Sequence, residues 1–488
     1  MPSTTPSAEY LYETVANDIR TLITSGTYRP GDRLPSVRQL SRQKRISVST
    51  ALQAYMLLES RGLVEARPQS GYYVRQRTFT PPPEPEISSP ASDPTQVSLE
   101  ELAFMTLRDT ENPNLVKLGI ALPDPDLLPT KKLLRIIAGL KGGKELQANA
   151  YVFPPGYEPL RVQIAQRAHL AGISLAPGDL VITSGCLDAV DLCLRAVCQK
   201  GDIVAIDSPT HFGLLQCLEG LGLKALEIPT HPREGISLSA LRFALDHNPV
   251  RAVVLVSNFN NPLGCLMSDD NKRELVKMLA AREIPLIEDD VFGEMSFSDQ
   301  RPTACKAFDE KELVLWCSSF SKDIAPGFRV GWCAPGRYQT KVEWLKFVSS
   351  EGTAAITQVA LAELLATSGM DYHLRRLRRL YAFNLEQVSL QVMRSFPEGT
   401  RLTRPTGGFL LWVQLPEGCD SLQLYKRALV EGITLAPGYL FSATPRYAGF
   451  IRLCTATWNH AVEQAITRLG ALVVEGQAAQ PAGRRRAE

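Results

Sequence analysis

The stretch 77–94, RTFTPPPEPEISSPASDP, limits the possible folds more than any other part of the chain. It carries six prolines among serines and acids. Proline fixes its own φ and lacks a backbone donor, so such a run can neither continue a helix nor sit inside a sheet. It reads as a semi-extended linker. The chain of 488 residues, long enough for about three domains, is thereby divided. A module over 1–77 precedes a linker over 78–109. A body follows over 110–475, with a large part at about 150–338 and a small part at about 110–149 and 339–475, and then a basic tail at 476–488.

Composition narrows the setting. The start, MPSTTPSAEY, lacks a basic segment followed by an apolar run, so no secretory signal is expected. No apolar run approaches the roughly 18 residues of a membrane span. The ten cysteines are scattered, without a zinc-spaced CxxC pair, which predicts reduced thiols, no metal site and a cytoplasmic protein. Charge is uneven. Residues 1–77 hold eleven Lys/Arg and six Asp/Glu, although the whole chain is only +2. A basic first module points to nucleic acid.

Within that module Tyr12, Val15, Ile19, Leu22 and Ile23 recur at helical spacing, with Gly26 able to end the helix. Ser36 can cap a second helix, and Ser47 a third that Gly62 would stop. LVEARPQSGYYVR then reads as two strands about a turn. Three helices and a hairpin form a winged helix-turn-helix. The run RPGDRLPSVRQLSRQKRISVSTALQAYMLLESRGLVEARPQSGYYV resembles the GntR-type winged helix over nearly its whole length. That resemblance places Ser47, Ser49, Thr50 and Gln53 at the front of the recognition helix, within reach of base edges. It gives Arg38, Lys44 and Arg45 to phosphates or bases, and Gly71 to the wing tip. Val48 stands where that family often carries arginine.

Beyond the linker, LVITSG, IVAIDSP, AVVLVSN, PLIEDD, LVLWCSSF and FRVGWCAP read as strands buried on both faces. Helical segments alternate with them, which implies an α/β domain with a mostly parallel sheet. Longer helices and the strands in TGGFLLWVQLP and GFIRLCTA predict a smaller α+β domain at the end. In such sheets ligands gather at the carboxyl ends of strands. Those ends hold TSGC at 183–186, SPTHF at 208–212, NNPLG at 260–264, EDDVF at 288–292 and SFSK at 319–322.

In this order the five motifs resemble the fold type I aminotransferases, which bind pyridoxal 5′-phosphate, over about residues 110–475. The resemblance makes Lys322 the Schiff-base lysine. A partly buried position near positive charge would lower its pKa toward the neutral amine. It assigns Arg329, Ser319, Ser321, Ser184, Gly185 and Cys186 to the cofactor phosphate, the last three where a strand meets a helix. Asp289 becomes the partner of the pyridine nitrogen and Asn261 the partner of the ring hydroxyl. His211 occupies the ring-stacking position, usually Tyr, Phe or Trp, and Phe292 a position that generally holds tyrosine. Both departures weigh against efficient transamination. Tyr151 matches the tyrosine that crosses to a neighbouring subunit's phosphate. Arg452 matches the group that holds a substrate or effector carboxylate.

The two halves in this order resemble the MocR subfamily of bacterial transcription regulators. That implies a homodimer on double-stranded promoter DNA that senses pyridoxal phosphate, an amino acid or amine effector, or both. Two other functions are compatible with the residues: a working aminotransferase with a DNA-binding appendage, and a DNA-binding scaffold with a dead pocket. A filter-binding assay on duplex DNA should show affinity that falls steeply as salt rises; no such affinity would remove the DNA-binding expectation.

Overall fold

In a computed structural model, residues 11–24, 27–28, 31–60, 63–67, 70–74, 82–90, 93–97, 112–367 and 369–478 are described. Gly26, Gly62, the linker positions 78–81, 91–92 and 98–109, and the tail from 479 lie outside them. The chain forms two units, Met1–Pro81 and Pro82–Glu488.

In the first unit the capping residues do what their chemistry suggests. Ser36 accepts from Gln39 N (3.2 Å) at the start of helix α2 (Val37–Lys44), and Arg45, at φ 53°, ends it in the left-handed region. Helix α1 (Leu11–Thr24) and helix α3 (Val48–Ser60) complete the triad. Strands β1 (Val64–Arg67) and β2 (Gly71–Val74) pair antiparallel as the wing. Val15, Ile19, Leu40, Ala51, Tyr55 and Leu58 fill the core. Tyr55 stacks on Tyr72 at 4.5 Å and donates to Pro35 O (2.6 Å), so its hydroxyl is satisfied inside.

The second unit is built on a nine-stranded sheet. In sequence its strands are β3 (Thr95–Gln96), β5 (Val181–Thr183), β6 (Ile203–Ser208), β7 (Lys224–His231), β8 (Gly235–Ile236), β9 (Val250–Leu255), β10 (Leu286–Asp289), β11 (Val314–Ser319) and β12 (Gly331–Ala334). Strand β4 (Val116–Lys117) lies outside it, paired with β15 (Ile433–Thr434). The spatial order is β3-β7-β6-β9-β10-β11-β12-β5, with β8 on β7. The central pairs from β7 to β11 are parallel, and β12 is antiparallel to both its neighbours. A second sheet joins β13 (Arg401–Leu402), β14 (Leu410–Gln414), β16 (Ala436–Pro437) and β17 (Phe450–Cys454). The helices Met370–Ser395 and His460–Ala478 bury Val388, Val392, Ile466 and Leu469 against its Leu411, Val413, Ile451 and Leu453. The α/β body with a smaller α+β part is the class that the alternation implies.

The proline-rich segment departs from a free spacer. Its described part lies along the body: Thr95 and Gln96 pair with Ala225 and Lys224 of β7. Ser88 Oγ donates to Ser208 O (2.5 Å) and accepts from Thr230 N (2.8 Å). Arg404 Nη2 donates to Pro82 O (2.8 Å), Leu402 N to Pro83 O (3.3 Å), and Arg446 to Ser89 O. Proline forbids a central strand, but it leaves carbonyls that arginines can hold.

At the end of β10 the buried carboxylate Asp290 accepts from Asn258 Nδ2 (2.8 Å), Trp316 Nε1 (2.9 Å) and Arg301, itself almost fully buried. Removing one partner of a buried ion pair strands the other. Arg301→Met should therefore lower stability by about 3–5 kcal/mol, seen as a fall in melting temperature. Adding Asp290→Asn should recover part of the loss, and equal melts for single and double variants would refute the pairing.

Candidate functional site

The carboxyl ends of five strands converge on Lys322. It follows β11, half-buried, and its Nζ donates to Ala121 O (2.7 Å) and lies 5.8 Å from the Phe292 ring centre. Burial, and then the Arg452 guanidinium, bring its pKa down from 10.5 to about 8. A substantial share of the amine is therefore neutral near physiological pH.

Behind the lysine, Asp289 ends β10 with 7% of its surface exposed. Its Oδ1 accepts from Cys186 Sγ (3.2 Å) and Val291 N (3.1 Å). His211 Nε2 stands 3.6 Å from its Oδ2. His211 Nδ1 accepts from Leu214 N (3.2 Å), capping the helix Phe212–Gly220. That bond fixes the ring proton on Nε2, facing the carboxylate. Burial lowers the imidazole pKa, against the raising effect of Asp289. His211 thus has a structural reason to differ from a plain aromatic ring: it caps a helix and faces Asp289 at once.

On the opposite wall, Arg452 of β17 is 1% exposed. Its Nη1 donates to Asn261 Oδ1 (3.1 Å) and its Nη2 to Gly119 O (2.5 Å), while Nε has no partner among the described residues. Burial pulls its pKa down to about 10. Because Asn261 spends its oxygen on Arg452, its amide nitrogen remains as the donor. Phe292 is buried edge-on against Phe409, with centroids 5.5 Å apart.

The third wall is a glycine-lined cradle. Arg329 Nη2 donates to Ser184 O (3.1 Å), and Nη1 reaches Ser321 Oγ (3.4 Å). Ser319 Oγ accepts from Ser321 N (3.3 Å). Gly185, at φ 109°, precedes the helix Cys186–Val197; a Cβ there would come within 2.6 Å of Arg329 Nη2. At Gly331 a Cβ would meet Gly185 C at 2.5 Å. Only glycine permits this approach. A helix N-terminus, an arginine and serine hydroxyls packed together on glycines are groups that suit a phosphate.

Two of the expected residues have side chains outside the Arg329 cradle of this chain. Cys186 directs its thiol to Asp289 instead of the Arg329 cradle, and burial raises its pKa well above the ordinary thiol value. Tyr151 is 78% exposed and stacks on Phe153 (5.6 Å), outside the cluster. The sequence reading also missed Lys346, 1% exposed, whose Nζ reaches Ser184 Oγ (3.2 Å) and Asp188 Oδ2 (2.9 Å). Asp188 in turn accepts from Ser184 N (2.6 Å), so the pair braces the cradle. Lys346 lies 162 residues from Ser184 in an ordinary helical stretch, so no local pattern marks it.

In the first unit, Arg38, Arg45 and Gln53 are exposed, and Gly71, at φ 107°, lies beside the Arg33 guanidinium. Lys44 is paired with Asp18. Ser47, Ser49 and Thr50 are bound to one another: Ser47 Oγ is 2.7 Å from both other hydroxyls and accepts from Thr50 N (3.0 Å).

Comparison with known proteins agrees with this division. Residues 11–74 match the family "Bacterial regulatory proteins, gntR family", and residues 125–469 match "Aminotransferase class I and II". The HTH-type transcriptional regulator YdcR of Escherichia coli is 40% identical over 95% of this chain and 99% of its own length. YjiR of the same organism is 37% identical over 95% and 98%. Among solved structures, LysN, the α-aminoadipate aminotransferase of Thermus thermophilus, is 28% identical with a TM-score of 0.71, covering 76% of this chain and 95% of that one. The kynurenine aminotransferase of Pyrococcus horikoshii is 28% identical with a TM-score of 0.72, covering 79% and 96%. The chain belongs to the MocR subfamily of GntR-type transcriptional regulators, in which a helix-turn-helix unit is joined to a body of the class I and II aminotransferase family.

Proposed function

We propose that this regulator binds pyridoxal 5′-phosphate at Lys322 and senses it, an amino compound, or both. The observation that carries the reading is the half-buried amine of Lys322, with its pKa near 8, set among Asp289, Asn261 and the Arg329 cradle. LysN, whose structure contains N-(5′-phosphopyridoxyl)-L-leucine, supports the same ligand class here. Pyridoxal phosphate supplies an aldehyde that amines condense with and a conjugated ring that absorbs visible light.

This chain's residues then have distinct work. Arg329, Ser184, Gly185, Ser319 and Ser321 hold the phosphate, and Lys346 with Asp188 keeps Ser184 in place. Asp289 meets the ring nitrogen, steadied by Cys186 and Val291 N and faced by His211. Asn261 offers its amide to the ring hydroxyl, where Phe292 can offer nothing. Arg452, with Nε open, grips an effector carboxylate. A homodimer would bring Tyr151 to the other subunit's cradle. The exposed aromatic group of Tyr151, Phe153, Trp344 and Phe347 is a surface that such pairing would cover.

Purified protein supplied with pyridoxal phosphate should show a visible band that Lys322→Ala lacks. One amine from a panel should shift the band without turnover. Steady release of a keto acid would instead favour a working aminotransferase, and no band would end the proposal. The rate of band formation carries a pH signature. Only the neutral amine attacks an aldehyde, and the Lys322 pKa is lowered to about 8. The rate should therefore climb as pH rises through about 8 and level above it. A rate still climbing toward the ordinary lysine pKa of about 10.4 would show that the amine is not depressed.

A further inference from the structure

Helix α3 carries an apolar stripe that it does not bury. Val48, Leu52 and Met56, spaced four residues apart, are 53%, 41% and 56% exposed. Ala51, Ala54, Tyr55 and Leu58, on another side of the same helix, are fully buried and already fill the core. An apolar row left in water on a short helix serves no packing purpose within its own unit.

The polar residues at the front of α3 are less available than their exposure suggests. Ser47 Oγ caps the helix through Thr50 N, and the hydroxyls of Ser49 and Thr50 both close on it at 2.7 Å. The unit also exposes the cations Arg38 and Arg42 on helix α2 and Arg45 at its C-cap. The unit's charge balance, eleven Lys/Arg to six Asp/Glu over residues 1–77, suits a polyanion. Helix α3 therefore exposes Val48 and Leu52 beside Gln53, its one front polar side chain not engaged by the Ser47 hydroxyl, in a unit with an excess of positive charge.

We propose that Val48 and Leu52 are specificity-determining residues that read thymine through its 5-methyl group. The proposal rests on the unit being a DNA-binding winged helix. In the major groove, base edges are distinguished by donors and acceptors, and thymine alone presents a methyl group. A branched aliphatic side chain at the first turn of the groove-entering helix gains by covering that methyl and cannot satisfy a guanine or adenine edge. The cations set the approach and contribute affinity without sequence information. Thymine is thus selected by apolar contact, and purines opposite Val48 are rejected because their polar edges would lose water without replacement.

The test begins with the full chain and a random duplex library, from which bound sequences are selected at fixed salt. The best duplex is then remade with deoxyuridine replacing one thymine at a time. Deoxyuridine keeps the base pair and the O4 acceptor and lacks only the methyl group. We expect about a fourfold loss of affinity at one or two thymines per half-site, the loss that follows from uncovering one methyl. Val48→Ala and Leu52→Ala should be indifferent to uridine at the position that each side chain covers. Selection with Val48→Arg should replace that thymine by guanine. Both positions are exposed, and a helical circular dichroism spectrum for each variant confirms that the unit is folded.

Uridine binding as well as thymine at every position would overturn the proposal while leaving DNA binding intact. The same follows if wild type and both alanine variants respond to uridine alike, as they would if the stripe covered a protein surface. A library that yields no duplex bound above scrambled DNA would remove the DNA-binding reading itself, and this inference with it.

Discussion

Three consecutive buried carboxylates at the end of β10 are the constraint on which the rest of the body depends. Glu288, Asp289 and Asp290 are 0%, 7% and 1% exposed. Charges of one sign at adjacent positions repel, and each needs its own donors in the dry interior. Strand geometry separates them, because successive side chains point to opposite faces. Glu288 takes Ser257 Oγ (2.5 Å), Cys305 N (2.7 Å) and Lys306 N (3.0 Å). Asp290 takes Arg301, Asn258 and Trp316. Asp289, between them, faces the site. The two flanking acids anchor the strand end from behind, so the middle one is held in place and, among the described residues, forms no salt bridge to Lys or Arg.

The same division between support and exposure recurs across the site. Gly119 and Ala121 contribute backbone carbonyls, one to Arg452 and one to Lys322, so two cations are oriented by a single short stretch. The cations in turn act on each other: Arg452 helps to depress the lysine's pKa. An arginine that grips a carboxylate would have its charge offset, which would ease this pressure on the neighbouring amine.

Much of this was legible because it is local. Strands with unbroken apolar runs, such as LVLWCSSF and AVVLVSN, and loops of characteristic composition at their ends carry their roles in a few adjacent letters. What was not legible is what depends on distant partners. Strand β7, KALEIPTH, mixes lysine, glutamate, proline and histidine and lacks a buried-strand signature. It nevertheless pairs along its length with β6 beneath the two-residue β3, and its Glu227 accepts from Ser442 Oγ (2.7 Å) and Ala443 N (2.8 Å) far along the chain. Lys346 and Asp188 meet for the same reason. Cys186 occupies a position expected beside the phosphate, yet its thiol finds a carboxylate 103 residues away. Side-chain direction at a helix start is set by the nearest acceptor, which sequence spacing does not encode.

The proline-rich strap has a consequence for dissecting the protein. By composition it looks expendable, and a body cut to begin near residue 110 would seem natural. Yet Thr95 and Gln96 cover part of the outer edge of β7, and Ser88 covers Thr230 N. Without them the backbone groups of Lys224 and Ala225 would become an open sheet edge, ready to pair with another molecule. The strap works as an edge guard. Its prolines Pro82 and Pro83 fasten the strap elsewhere, through carbonyls that accept from Arg404 Nη2 and Leu402 N. A fragment of the body begun before Pro82 keeps this cover, and one begun after Val97 loses it and bares the backbone of Lys224 and Ala225.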